Sequence, residues 1–265
     1  MPLPPHVLRF WRALDDLLGG VRPTAWGAVV TDARFPAIWD ANYARVDVAD
    51  PSLTADEIER DLLPALADVG AAVAHVVSFQ PEGVTGLLAD LSTRGHRLSW
   101  DLVMGHGGPR GPVHDVGVTE LEPSPALWRR VDDTMQLFGV GSDGAVAQLG
   151  RLEREVLAPS GKRWFGVRGT EGQLESLAAL LVLEGVGYVD NVATFPEARG
   201  RGLASALTSH LVDVATAAGA DHVILFADPD DRAAVRMYER LGFRGLGRLA
   251  STKAPLPRAA HSTNL

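Results

Sequence analysis

The chain has 265 residues, enough for one large domain or two small ones, and its 46% hydrophobic and 22% charged content is an ordinary globular balance. A net charge of −8 argues against a nucleic-acid partner and favours small cationic ones, and the lack of cysteine excludes disulfides, thiolate metal sites and a cysteine nucleophile. The longest purely apolar run, 177–183, is far short of the roughly 20 residues of a membrane span, and the start carries no signal-peptide pattern, so a soluble cytoplasmic protein is expected.

In chain order, an aromatic segment at 35–43 is rich enough in rings to line a pocket, with core packing the better reading of Trp39 and Tyr43. A helix over 53–66, a strand over 72–79, a helix over 82–91 and a strand over 97–104 follow. Residues 104–112 hold four glycines and two prolines, which reads as a linker (105–112) between a domain at 1–104 and one at 113–250. After the linker come a strand at 117–122 and a helix capped by Ser124 with Pro125 in its first turn. A helix over 145–157 is followed by strands at 163–168, 174–183 and 188–194. A helix over 202–218, a strand at 222–226, a helix over 231–241 and a strand from Phe243 complete the pattern. Residues 251–265 lack an apolar period and read as a flexible tail. Strands alternating with helices indicate an α/β class with a mixed α+β sheet.

The last four elements of the first half repeat the order of the last four of the second. At a constant offset of 147, His75, Val76, Phe79 and Gly95 fall on His222, Val223, Phe226 and Gly242. Duplication explains both the offset and the order.

The segment Arg199-Gly-Arg-Gly-Leu-Ala204 joins the end of a strand to the start of an amphipathic helix. Unpaired amides at the positive end of a helix, glycines without Cβ and two arginines are the ingredients of an anion site. The dinucleotide fingerprint needs glycine where Ser205 stands, and the P-loop ending is absent. Alone, this segment reads first as a helix cap, so a second motif decides. A second motif lies further on: in Asp231–Phe243, Ala234, Met237, Tyr238 and Leu241 share one helical face and Gly242 is a C-cap.

Together, with Gly202 and Asp231 29 residues apart, the two motifs resemble those of the GNAT acyl-CoA-dependent N-acyltransferase superfamily. Its Arg/Gln-x-x-Gly-x-Gly/Ala loop matches Arg199, Gly202 and Ala204, and its helix motif matches Asp231, Ala234, Met237, Tyr238, Gly242 and Phe243, with likeness over about 117–250. The resemblance implies a GNAT fold and acetyl-CoA as cosubstrate, with no metal. It implies that Val192, Ala193 and Thr194 offer main-chain groups to the pantetheine arm, and that Arg199, Gly200, Arg201, Gly202, Leu203 and Ala204 hold the pyrophosphate. It also implies contacts from Asp231 and Ala234, and Tyr238 as the acid that protonates the departing thiolate. Asp231 stands where the family usually has asparagine, which costs a donor and adds a charge.

A proton acceptor is needed for an ammonium substrate; Asp190, alternating with Val192 and Thr194, is the candidate, Glu184 the runner-up, and water the remaining route. The offset places Leu91 where Tyr238 stands and no glycine in 52–57, so the first half is expected to be a degenerate copy. His106 and His114 show no metal-ligand spacing. The expected activity is acetyl transfer from acetyl-CoA to a primary amine of a small molecule or peptide, without an acyl-enzyme. A non-catalytic acyl-CoA-binding or sensory module is the rival reading, and a homodimer is left open. No membrane partner is expected.

Overall fold

The computed structural model describes residues 2–139 and 143–256. Helices are α1 (Pro5–Asp15), α2 (Ala55–Val69), α3 (Thr85–Thr93), α4 (Pro125–Leu137), α5 (Asp143–Leu152), α6 (Leu203–Ala217) and α7 (Arg232–Arg240). Strands are β1 (Gly20–Thr24), β2 (Gly27–Thr31), β3 (Tyr43–Val46), β4 (Val73–Ser78), β5 (Arg97–His106), β6 (Val118–Leu121), β7 (Arg163–Arg168), β8 (Leu174–Leu183), β9 (Val186–Thr194), β10 (His222–Ala227) and β11 (Phe243–Pro255). The protein is of the mixed α/β class.

Two compact units form, each discontinuous in sequence. The larger takes the chain up to Leu17 together with Trp100–Arg248, and the smaller takes Leu18–Ser99 with the chain from Leu249 on. The boundaries therefore lie inside β5 and β11, and Gly105 and His106 of the glycine–proline stretch still belong to β5. Gly105 is tolerated in a strand because the Leu246 side chain occupies the space of a Cβ, 2.8 Å from where it would stand.

In the larger unit the strand order is β5-β10-β9-β8-β7-β6, antiparallel except for the parallel pair β9–β10. One face is covered by α6 and α7, through Leu203, Leu207, Leu211, Tyr238 and Leu241 packed on Phe165, Leu180, Val189 and Leu225. The other face takes Phe10 of α1 against Leu181, Val186 and Ile224, and Leu127, Val131 and Met135 of α4 against Trp164 and Leu177. Ser124 caps α4 by accepting from Leu127 N–H, as its sequence position indicates.

The smaller unit repeats this plan. Strands β1-β2-β3 are antiparallel neighbours, β3 is parallel to β4, and α2 and α3 pack on them through Ile58, Leu62, Leu66, Leu87 and Leu91. The same order holds for β7-β8-β9, β10, α6 and α7. Each unit completes its sheet with an antiparallel strand beyond this set: β5 beside β10, and the end of β11 beside β4.

The expectation of a flexible tail from Ser251 is corrected for its first residues. Ala250–Pro255 pair antiparallel with Ser78–Val73, and Leu256 N–H donates to the Ala72 carbonyl. Main-chain bonds hold this segment, so no apolar period announces it; the buried Ser251 hydroxyl meets His75 Nε2 at 2.8 Å. The rest of that tail, 257–265, lies outside the described residues. Among the described residues no helix is long and apolar enough to cross a membrane, and no group of three or more His, Asp or Glu side chains converges as a metal site would require.

Candidate active site

The site is built where β9 and β10 part. Their parallel pairing is confined to Val186–Tyr188 against His222–Ile224, so beyond Tyr188 that edge of β9 has no strand partner among the described residues. On its other edge β9 stays paired with β8, but the register shifts between Leu177 and Ala179, and Asn191 takes a left-handed φ of 52°. This is a β-bulge, which adds one residue and turns the strand. It corrects the expected alternation: Val189 and Val192 both pack into the core under α6, while Asp190 turns toward Lys162. Asp190 and Val192 are therefore not on one side.

Beyond Thr194 the chain reaches the loop before α6. Gly200 and Gly202 have φ of 77° and 78°, a left-handed conformation that glycine adopts without strain. Gly202 is the N-cap of α6 and supplies no side chain to it. Among the described residues the backbone N–H groups of 200–205 have no hydrogen-bond partner. A row of unpartnered amides at a helix N-terminus fits a pyrophosphate. The smaller unit closes the corresponding position with its own atoms. There Thr54 Oγ1 accepts from Glu57 N–H while Glu57 Oε2 accepts from Thr54 N–H, a capping box at the start of α2. Two acids in that first turn, Asp56 and Glu57, add negative charge where the larger unit leaves donors free.

The two loop arginines differ. Arg199 donates from Nε to the Thr194 carbonyl at 3.2 Å and faces the site, whereas Arg201 pairs with Glu175 at 2.8 Å. His114, dismissed on spacing, lies against the loop: a Cβ on Gly202 would stand 2.6 Å from its Cδ2.

Helix α7 closes the site. Asp231 is its N-cap, accepting from Ala233 and Ala234 N–H at 3.1 and 3.0 Å, a role that aspartate and asparagine fill equally well. Tyr238, 7% exposed, packs edge-on to Phe243 with ring centroids 6.0 Å apart. Its hydroxyl makes no hydrogen bond among the described residues. Burial, with the nearby charges of Asp231 and Asp190, pushes its pKa up to about 12, so the phenol keeps its proton at any physiological pH.

A cavity of about 860 Å³ gathers these parts. Val192, Ala193, Thr194, Arg199, Gly200, Gly202, Leu203, Ala204, Asp231, Ala234 and Tyr238 all line it; Arg201 does not. Sequence reasoning missed Pro112–His114, Leu137, Phe138 and Arg240, which complete the walls. The glycine–proline stretch ahead of His114 was the only signal that backbone could approach the loop there.

Asp190 lines a second cavity of about 430 Å³, which shares Phe138, Val192, Asp231, Ala234 and Tyr238 with the first. Its Oδ2 accepts from Lys162 Nζ at 2.7 Å, and Lys162 also donates to Glu153 at 2.7 Å. Lys162 and Glu153 are both buried, Glu153 in the π-turn Glu153–Leu157. Burial alone would lower the Lys162 pKa, but Asp190 and Glu153 hold it well above the ordinary lysine value, so the ammonium is permanent. Burial raises the Glu153 carboxyl. The Asp190 Oδ1 atom accepts from Asn191 N–H at 2.8 Å and from the Tyr188 hydroxyl at 3.3 Å. Nothing in the sequence pattern announces this triad, because its members are 9 and 28 residues apart on separate elements.

Comparison with known proteins gives the same direction. The model of the acetyltransferase (GNAT) family matches residues 139–243. The chain is similar to a mycothiol acetyltransferase of Actinosynnema mirum, 28% identical over 248 residues that cover 84% of this chain and 82% of that protein. In fold it is similar to a GCN5-related N-acetyltransferase of Kribbella flavida, with TM-score 0.60 and 19% identity over 94% of this chain and 95% of that one. A second such protein, from Sphaerobacter thermophilus, gives TM-score 0.59 and 21% identity over 98% and 88% of the two chains.

Proposed function

We propose that this chain, whose residues 139–243 form a GNAT acetyltransferase domain, transfers an acetyl group from acetyl-CoA to a primary amine of a small molecule or peptide. The observation that carries the reading is the cavity of about 860 Å³, which joins a strand edge and a row of amides, both without a main-chain partner among the described residues, and a buried phenol. The amides of 200–205 and Arg199 would hold the pyrophosphate, and the edge of β9 at Val192–Thr194, which pairs with no strand among the described residues, would hold the pantetheine arm. Acetyl-CoA supplies the activated acyl group. Tyr238 would give its proton to the sulfur as the thioester bond breaks, and its raised pKa keeps that proton available.

The amine must lose a proton before it attacks. Asp190 and Tyr238 line one cavity, but Asp190 Oδ2 is engaged by Lys162. Its Oδ1 accepts from Asn191 N–H at 2.8 Å and from the Tyr188 hydroxyl at 3.3 Å, so the proton would leave through water held at Asp190, or through Asp190 itself once the longer Tyr188 contact gives way.

The test is calorimetric titration of acetyl-CoA, followed by assay of thiol release across an amine panel that includes the acceptor of mycothiol acetyltransferase. Acetyl-CoA binding with thiol release dependent on an amine is the expected result. Binding without release from any amine would favour a non-catalytic acyl-CoA-binding module.

A further inference from the structure

We propose that the 430 Å³ cavity is the acceptor chamber and that it selects an amine carrying a second positive charge away from the reacting nitrogen, as in a diamine or polyamine. This rests on the reading above and adds the substrate class to it. Three carboxylates, Asp190, Asp228 and Asp231, line the chamber, and no Lys, Arg or His does so among the described residues. The larger cavity shares Asp231 but adds Arg199, Arg240 and His114 in its walls. The two cavities thus offer an anionic donor and a cationic acceptor separate places that share Tyr238.

Tyr238 makes the acidic cluster more than a solvated surface. It is 7% exposed, its hydroxyl has no hydrogen-bond partner among the described residues, and it is common to both walls. That hydroxyl marks where donor and acceptor meet.

Charge accounting then gives the class. Lys162 offsets one charge of the Glu153–Asp190 pair. Asp228 and Asp231 each use one oxygen for a backbone N–H, from Asp230 and from Ala233 and Ala234, and neither is paired with a cation among the described residues. A reacting ammonium loses its charge before attack, so it cannot be what these carboxylates hold through the reaction. A second, non-reacting cation can. The Phe138 and Phe226 rings beside them suit both an ammonium and the methylenes between two nitrogens. The volume falls within the range of small-molecule sites.

The experiment compares butane-1,4-diamine with butylamine as probes of the full chain. Each is titrated alone and with CoA, and each is assayed for thiol release from acetyl-CoA at low and high potassium chloride. The expected result is tighter binding and a higher kcat/KM for the diamine, with a preference that shrinks as salt rises. The Asp228→Asn change should lower the diamine-to-monoamine ratio about tenfold. Equal binding of the two amines, or a ratio unchanged in Asp228→Asn, would overturn the proposal. Loss of acetyl-CoA binding would count against the donor reading instead, because the amine titrations on the chain alone still report the chamber's preference.

Discussion

Replacing Tyr238 with phenylalanine is expected to lower kcat by about 10²–10⁴-fold with acetyl-CoA affinity almost unchanged, the usual worth of a positioned general acid. The structure makes the substitution clean. The ring lies in the core beside Phe243, and the hydroxyl has no partner among the described residues, so phenylalanine keeps the packing and orphans no buried group. The pH dependence follows from the direction of the shift. Burial disfavours the phenolate, and with the pKa pushed up to about 12 the wild type should show no alkaline loss of kcat from this group around pH 10, where an ordinary tyrosine would ionise. Steady-state rates measured where chemistry limits turnover check both points. Full activity in Tyr238→Phe would remove the phenol from the mechanism.

Gly202→Val is expected to weaken acetyl-CoA binding by about 100-fold or more, roughly the loss of one or two charge-assisted hydrogen bonds. Two causes act together. A φ of 78° is left-handed, where a β-branched residue is strained, and its Cβ would fall 2.6 Å from the His114 ring. The loop must then shift, and the row of amides at 200–205 shifts with it. The strain, about 1–3 kcal/mol, is small beside the about 5–15 kcal/mol that holds an ordinary domain together, so the variant should remain folded. Calorimetry with circular dichroism as the folding control reads the outcome. Unchanged affinity in a folded variant would reduce the loop to a helix cap.

Much of this fold was legible because its elements carry strong local signals. Ser124 and Pro125 open α4, the period of Leu203, Leu207 and Leu211 defines α6, and Gly242 ends α7, each a signal that needs only near neighbours. The offset of 147 gave the repeat, and the observed order of α2, β4, α3 and β5 against α6, β10, α7 and β11 follows it. What escaped has a common cause. The strand pairing of Ser251–Pro255 depends on main-chain bonds to β4, 174 to 182 residues away in sequence. The bulge at Asn191 depends on how β8 and β9 register, and reverses the face on which Asp190 is read. Long-range partners also explain the missed groups. His114 acquires its place from the loop at Gly202, and Lys162 from two carboxylates on other elements. Among the residues that line the larger cavity, those in a local motif were read from the sequence and those placed by tertiary contact were not, while Arg201, also in the motif, turns away to Glu175.

The central claim is direct transfer at one site, and initial-rate kinetics with acetyl-CoA and amine both varied test it most directly. Intersecting lines, one free thiol per amide formed and no acetylated protein by mass spectrometry are the predicted result, since the two cavities share Tyr238 and no cysteine exists to carry an acyl group. Parallel lines with a protein-bound acetyl group that chases into product would contradict it.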